Sequence, residues 1–287
     1  RALAHNPAIR AGDHMTVAAE RQAELTGLAP PWVVGADVEN VGGTGSVSGI
    51  HAAETTLRLG RVIERGGKRE ARQAVGAIDI QRSRTSLEQG RLDVAAEARR
   101  RFTEVLADQV RASVAAQNLA LARELTATVR CWVQAGRSPE SELDLMRIAQ
   151  EQADIEVEHA AHGLAGAKVS LAALWNVAEP SFDGADGDLF DLPAVAPYDD
   201  LVARLPDSPT LRALDLDTRA AEARGRLAAA GAKPDLTVHV GVRRLSLFND
   251  TALIAGVSFP LGSPSRSALD VARVAAETEA TEARAQA

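Results

Sequence analysis

Aromatic side chains are scarce: three tryptophans, one tyrosine and five phenylalanines make up 3% of 287 residues. The abundance of alanine, arginine and glutamate points to long helices rather than a core built on rings. A single cysteine, Cys131, excludes an intramolecular disulfide and says little about compartment. No apolar run approaches the ~20 residues of a membrane-spanning helix. Positive charge is not in excess either. The net charge of −7 argues against nucleic acid as a partner, because phosphate binding needs clustered cations. The short basic runs, Lys68, Arg69 and Arg72 and then Arg99, Arg100 and Arg101, read as solvated helix faces. There is no G-x-S-x-G, P-loop, H-E-x-x-H or paired-cysteine motif, so neither a catalytic residue nor a cofactor is expected. The chain opens at Arg1-Ala2-Leu3-Ala4 inside a helical pattern, and residues 268–287 are helical without a stop signal. It is expected to be a fragment cut at both ends, with any signal peptide outside it.

What is present occurs twice. Trp32 to Asn40 alternates, with Trp32, Val34, Ala36 and Val38 on one side and Gly35, Asp37 and Glu39 on the other. A glycine-rich turn follows (41–49), then a second strand over about 53–63, and Glu64-Arg65-Gly66-Gly67-Lys68-Arg69 launches a long helix. The same order returns later in the chain. Leu236, Val238, Val240 and Val242 lie opposite Thr237, His239, Gly241 and Arg243, and a turn at 246–250 leads into a strand over 251–260. Asn6-Pro7-Ala8-Ile9-Arg10 before the first hairpin matches Ser208-Pro209-Thr210-Leu211-Arg212 before the second. Such a period is one duplicated unit, helix–hairpin–helix. The first repeat is expected over 1–205: a helix, a β-hairpin at 32–63, a long helical hairpin at 66–176 and an irregular segment at 177–205. The second is expected over 206–287: a helix at 208–231, a β-hairpin at 235–260 and the start of a helix at 263–287.

Residues 3–27 read as a helix that starts or kinks at Asn6-Pro7 and stops at Gly27 and Pro30-Pro31. Lys68 to Gln134 contains no proline and only Gly76 and Gly90, a rod of about 100 Å at 1.5 Å per residue. Its large apolar residues, Phe102 through Val133, form a drifting stripe that fits no single heptad. The return helix does fit one. Leu143, Met146, Gln150, Ala153, Val157, Ala160, Leu164, Ala167, Leu171 and Leu174 alternate by three and four, the mark of supercoiling against a neighbour. Between the rods, Gly136 suits the left-handed position after the outgoing helix, Ser138 the N-cap of the returning one and Pro139 its first turn. The acidic run 183–188 lacks the closing glutamate of a calcium loop and reads as a connector.

Each strand has the length and dyad alternation of a transmembrane barrel strand, ~9–11 residues. An open sheet edge is forbidden in lipid, and four strands cannot close alone. If the sheet enters a membrane, several copies must share it, and a symmetric ring is the economical solution. The other reading is a soluble sheet capping a helical bundle.

The duplicated plan resembles the outer-membrane efflux proteins, the TolC-like exit ducts of tripartite pumps. Glu39-Asn40-Val41-Gly42-Gly43-Thr44-Gly45, Ala53-Glu54-Thr55-Thr56-Leu57, Ile63 to Arg69, Asp235-Leu236-Thr237 and Val257-Ser258-Phe259-Pro260-Leu261 look like the heavy-metal branch serving cobalt–zinc–cadmium type pumps. The resemblance implies a mainly α fold with short β-hairpins. Three chains would each give four strands to a 12-stranded transmembrane barrel, continued by an α-helical periplasmic tube. It implies a homotrimer in outer-membrane lipid, a periplasmic adaptor (membrane fusion protein) and an inner-membrane RND pump as partners, and passive conduction without enzymatic chemistry. A further helical hairpin, carrying part of the family's periplasmic gate, is expected beyond this chain. The hairpin tip, Gln134, Gly136, Arg137, Ser138, Pro139 and Glu140, is expected to meet the adaptor. His159 and His162, three apart with Glu156 and Glu158 nearby, are the weak candidates for a metal site. A duct for organic compounds or type I secretion, and a soluble coiled-coil scaffold or adaptor, remain as alternatives.

Overall fold

The computed structural model describes residues 1–192, 194–261 and 264–286. The helices are α1 (Ala2–His5), α2 (Pro7–Thr26), α3 (Lys68–Gln134), α4 (Glu140–Ala173), α5 (Tyr198–Arg204), α6 (Pro209–Gly231) and α7 (Pro264–Gln286); the strands are β1 (Trp32–Glu39), β2 (Glu54–Ile63), β3 (Leu236–Leu245) and β4 (Asp250–Ser258). Positions 263 and 287, the expected limits of the last helix, lie outside the described residues. The chain divides into two compact units, 1–13 with 87–205 and 14–86 with 206–287, so the first 205 residues contribute to both and residues 206–287 belong to the second alone.

The first unit is a helical hairpin with a packed base. Every residue of the heptad read in the return helix is buried or half-buried, and between Leu143 and Ala167 every other α4 residue is exposed. The opposing strip of α3 also alternates by three and four: Val105, Asp108, Ala112, Ala115, Leu119, Ala122, Thr126, Val129 and Val133. This corrects the reading that α3 holds no strict heptad. Small and polar residues occupy most of its seam, so the large apolar side chains gave a false trace. Small residues let the backbones approach closely, and Thr126 bridges them, its hydroxyl within bonding distance of the Ala122 and Met146 carbonyls (2.8 and 3.2 Å).

At the base, Val105, Ala167, Leu171 and Leu174 form the buried cluster, with Trp175 and Phe182 packed on it at 6.1 Å between ring centres. The connector folds back onto α3, where Gln109 donates to the Ala185 carbonyl at 3.0 Å and accepts from its N–H at 2.6 Å. The single helix expected over 3–27 is broken at Asn6. Its extended backbone (ψ 127°) ends α1, its side-chain oxygen accepts from Ala8 N–H at 2.8 Å to cap α2, and its amide donates to the buried Leu174 carbonyl. The segment expected to be irregular through 205 carries α5. Pro197 is its N-cap, and acids in the first turn with Arg204 in the last complement the helix dipole.

The second unit is built on one antiparallel sheet in the order β1-β2-β3-β4, so the two hairpins join edge to edge through β2 and β3. Among the described residues the β1 and β4 edges have no strand partner. Matching helices lead into the hairpins. Ser208 caps α6 by accepting from Leu211 N–H at 3.2 Å, as Asn6 caps α2, and each helix opens on proline. Beside the sheet, α2 lies close to α3 at Gly76, where a Cβ would stand 2.8 Å from that of Ala23.

Truncating the buried seam residue Leu119 (L119A) should cost roughly 2–4 kcal/mol. The expected result is a clear drop in the thermal midpoint followed by circular dichroism at 222 nm.

Candidate functional site

The register of the sheet sorts its side chains into two faces. Val34, Leu59, Val240 and Ala255 form one row across the four strands, and Ala36, Leu57, Val242 and Leu253 form the next. These apolar rows are the exposed ones: Val34 is 76% and Leu253 87% accessible. The opposite face carries the charges and is the more covered. Arg243 reaches Thr56 Oγ1 (3.0 Å), Glu54 (2.9 Å) and Glu39 (3.1 Å), joining three strands, and Thr56 is 1% accessible. Arg58 pairs with Asp37 at 2.6 Å. His239 lies over glycine, since a Cβ on Gly256 would fall 2.4 Å from its ring. The sheet is therefore inside-out relative to a soluble one, with oil toward the surroundings and paired charges on the covered side. The alternation disclosed the two faces. The Arg243 network was missed because the β1–β2 pairing sets Glu39 beside Glu54, but only the β2–β3 pairing brings Arg243 to them.

At the sheet end that meets the helices, α3 starts from two left-handed glycines, Gly66 and Gly67 (φ 85° and 73°). Arg72 grips Glu64 through two nitrogens, the longer contact 2.9 Å, and Lys68 reaches Asp235 at 2.8 Å, tying the start of α3 to the ends of β2 and β3. The hydrogen bonds from Arg72 hold the Glu64 carboxyl below its ordinary value. Burial opposes ionisation of Asp235, but the bonds from Lys68 and the Arg65 N–H prevail and its pKa is also lowered.

At the far end of α3, Gly136 is left-handed (φ 69°). Its N–H donates to the Val133 carbonyl at 3.0 Å, and the Arg137 N–H donates to that of Trp132 at 2.8 Å, which closes the helix in a Schellman motif. Ser138 is not the N-cap of the returning helix. Pro139 holds that position with extended backbone (ψ 152°), so α4 begins one residue later, at Glu140. Gln134, Gly136, Arg137, Pro139 and Glu140 are exposed and Ser138 is half-buried.

His159 and His162 are exposed, and among the described residues no group of three or more His, Cys, Asp or Glu could hold a metal ion. The pair belongs instead to a second regular strip of α4: Leu145, Ile148, Gln152, Ile155, His159, His162, Gly166 and Val169, again alternating by three and four and exposed throughout. This strip is displaced two residues from the buried seam, about 200° around the helix and nearly opposite it. On α3, Val110, Val114, Leu121, Leu125 and Trp132 are likewise exposed away from the buried seam. A helix with apolar seams on opposite flanks is shaped for a wall one helix thick, with a neighbour on each side. No described helix is long and apolar enough to cross a membrane.

Solved structures with the same chain path cover 99% of this chain. They include the outer membrane protein VceC from Vibrio cholerae (TM-score 0.76, 16% identity, 72% of that chain), the Campylobacter jejuni CmeC outer membrane channel (0.76, 15%, 65%) and CusC, described in terms of transmembrane channel formation (0.73, 17%, 69%). The fold is that of the TolC-like outer-membrane channels. In sequence, this TolC-like chain is 29% identical over 207 residues to the cobalt-zinc-cadmium resistance protein CzcC of Cupriavidus metallidurans, covering 72% of this chain and 50% of the relative. It is 30% identical over 248 residues to the nickel and cobalt resistance protein CnrC of the same organism, covering 83% and 57%. The nickel-cobalt-cadmium resistance protein NccC of Alcaligenes xylosoxydans xylosoxydans is 29% identical over 248 residues, covering 83% and 54%. The chain thus spans about half the length of these curated relatives. No family model matches it.

Glu64 and Asp235 titrate lower in the folded chain than their ordinary values of 4.5 and 3.8. Their contribution is therefore complete above about pH 5 and lost as the pH falls through the lowered folded values. Glu64→Gln should cost about 1.5–3 kcal/mol at pH 7. The gap in thermal midpoint between wild type and variant should shrink steadily as melts are repeated toward pH 3.

Proposed function

We propose that the chain is a wall segment of an outer-membrane exit duct that passively conducts heavy-metal cations from a periplasmic pump assembly to the exterior. The observation that carries this is the inside-out sheet. Its exposed apolar rows suit lipid, its paired charges suit an aqueous lumen, and its two edges await strands. Three copies would supply twelve strands and close the barrel, and the opposed seams of α4 suit the wall of a helical tube. The chain reads as two repeats, 1–205 and 206–287. The solved neighbours are channel proteins rather than enzymes, and conduction requires no catalytic group.

The cargo assignment draws on the metal-resistance names of the curated relatives. The partners that go with this reading are two further copies of the chain in a homotrimer, a periplasmic adaptor and an inner-membrane RND pump, and the likeness of fold to outer-membrane channels supports them. The adaptor contact is assigned to Gln134, Gly136, Arg137, Ser138, Pro139 and Glu140. These residues form a tight, mostly exposed turn whose conformation is fixed by the two Schellman bonds, so it presents a preset surface.

Full-length protein should run as a detergent-solubilised trimer by light scattering, open conducting pores in planar bilayers, and restore cobalt, zinc or cadmium resistance to a deletion strain. A water-soluble monomer without pores would end the duct reading. Drug sensitivity without metal sensitivity would move the cargo to organic compounds. Gly136→Trp forces a bulky side chain into a left-handed position at the tip. Resistance should fall toward that of the deletion strain while trimer and pore persist, and unchanged resistance would remove the tip from the adaptor contact.

A further inference from the structure

The sheet end nearest the helices carries a local charge opposite to that of the chain. Around the start of α3 stand Arg61, Arg65, Lys68, Arg69, Arg72 and Lys233, in a protein of net charge −7. Two of these are neutralised by close partners, Arg72 by Glu64 and Lys68 by Asp235. That leaves Arg61, Arg65, Arg69 and Lys233, offset locally by Glu70. The geometry gathers them. Gly66 lies so close to Lys233 that a Cβ there would stand 2.9 Å from Lys233 Cδ, and Arg61, Lys68 and Arg69 line a single hollow of about 240 Å³ beside Pro30. Arg61 and Arg69 each spend one guanidinium nitrogen on a backbone carbonyl, of Pro30 and Gly27 respectively, which fixes the groups without neutralising them. Arg65 and Lys233 are exposed, and among the described residues their side chains make no ion pair.

The position of this collar is as telling as its sign. Arg61 lies in the same row as Trp32, Val238 and Val257, the last row on the exposed apolar face to span all four strands, with only the Ile63–Leu236 pair between it and the helices, and its guanidinium sits 5.3 Å from the centre of the Trp32 ring. A tryptophan beside a cation at the rim of an apolar band is the pairing that favours the boundary between acyl chains and headgroups. The opposite end of the sheet differs: Glu39, Glu54 and Asp250 outnumber Arg243 and Arg244 there.

We propose that Arg61, Arg65, Arg69 and Lys233 form a collar that binds the phosphates of anionic phospholipids in the membrane leaflet on the helix side of the barrel. The collar rests on the barrel reading above, because that reading supplies the lipid boundary. Clustered cations beside a bilayer each add to anionic-lipid attraction, and the attraction is screened by salt.

The test uses the full-length protein in phosphatidylcholine nanodiscs doped with phosphatidylglycerol, comparing wild type with Arg65→Glu/Lys233→Glu. Both side chains are exposed and unpaired, so the fold should tolerate the change. Native mass spectrometry should show phosphatidylglycerol retained on the wild type above its bulk fraction. The double variant should lose this preference by about fivefold or more for each cation removed, with trimer and pore conductance intact. Added salt should weaken the wild-type preference and leave the variant unchanged. Insertion and conduction with no phosphatidylglycerol preference, or with one that survives the double reversal, overturns the collar alone. A protein that never enters the bilayer overturns the barrel reading and the collar with it.

Discussion

Backbone hydrogen bonding governs this molecule more than any side-chain contact. Each strand offers a row of donors and acceptors, and among the described residues the outer rows of β1 and β4 have no strand partner. In water such edges can be solvated. On the barrel reading the exposed apolar face meets lipid, where they cannot, and an unpaired peptide group there costs several kcal/mol. On that reading the sheet is complete only in the company of further strands, and the helices share the same incompleteness. Where α4 buries one seam against α3, it leaves a second on the opposite flank.

Charges are placed accordingly. On the covered face of the sheet, Arg243 satisfies acids from two other strands and Arg58 satisfies Asp37, so the side away from the exposed apolar rows is polar and internally compensated. At the start of α3, the Arg72–Glu64 and Lys68–Asp235 pairs fix the direction in which the long helix leaves the sheet. The left-handed Gly66 and Gly67 allow the turn from strand into helix there, and Gly136 allows the reversal at the tip.

Much of this was legible in the residues. The alternation from Trp32 and from Leu236 gave both hairpins and both faces, and the unbroken heptad from Leu143 gave the seam that the structure buries. Gly136 announced the helix stop. The α3 seam was not legible, because Asp108, Ala112, Ala115, Ala122 and Thr126 lack the hydrophobic contrast that periodicity relies on, while Val110, Val114 and Leu121 advertised the opposite flank. The N-cap of α4 was misplaced by one residue, since Ser138 is a good cap in isolation but is followed by a proline that itself stays extended. The Arg243 network depends on pairing across the repeats, which local pattern cannot supply.

The β2–β3 ladder, which joins Glu54 to Leu245 and Ile63 to Leu236, also bears on the order of assembly. Its partners are separated by most of the polypeptide, so the ladder carries a large loop-closure entropy and forms late relative to the α-hairpin enclosed between them. During biogenesis the helical rods can condense first, while the two ribbons wait unjoined, with their oily faces exposed. That interval is when the polypeptide is most exposed to aggregation, and it gives a physical reason for such a chain to depend on holdase protection until it reaches its membrane.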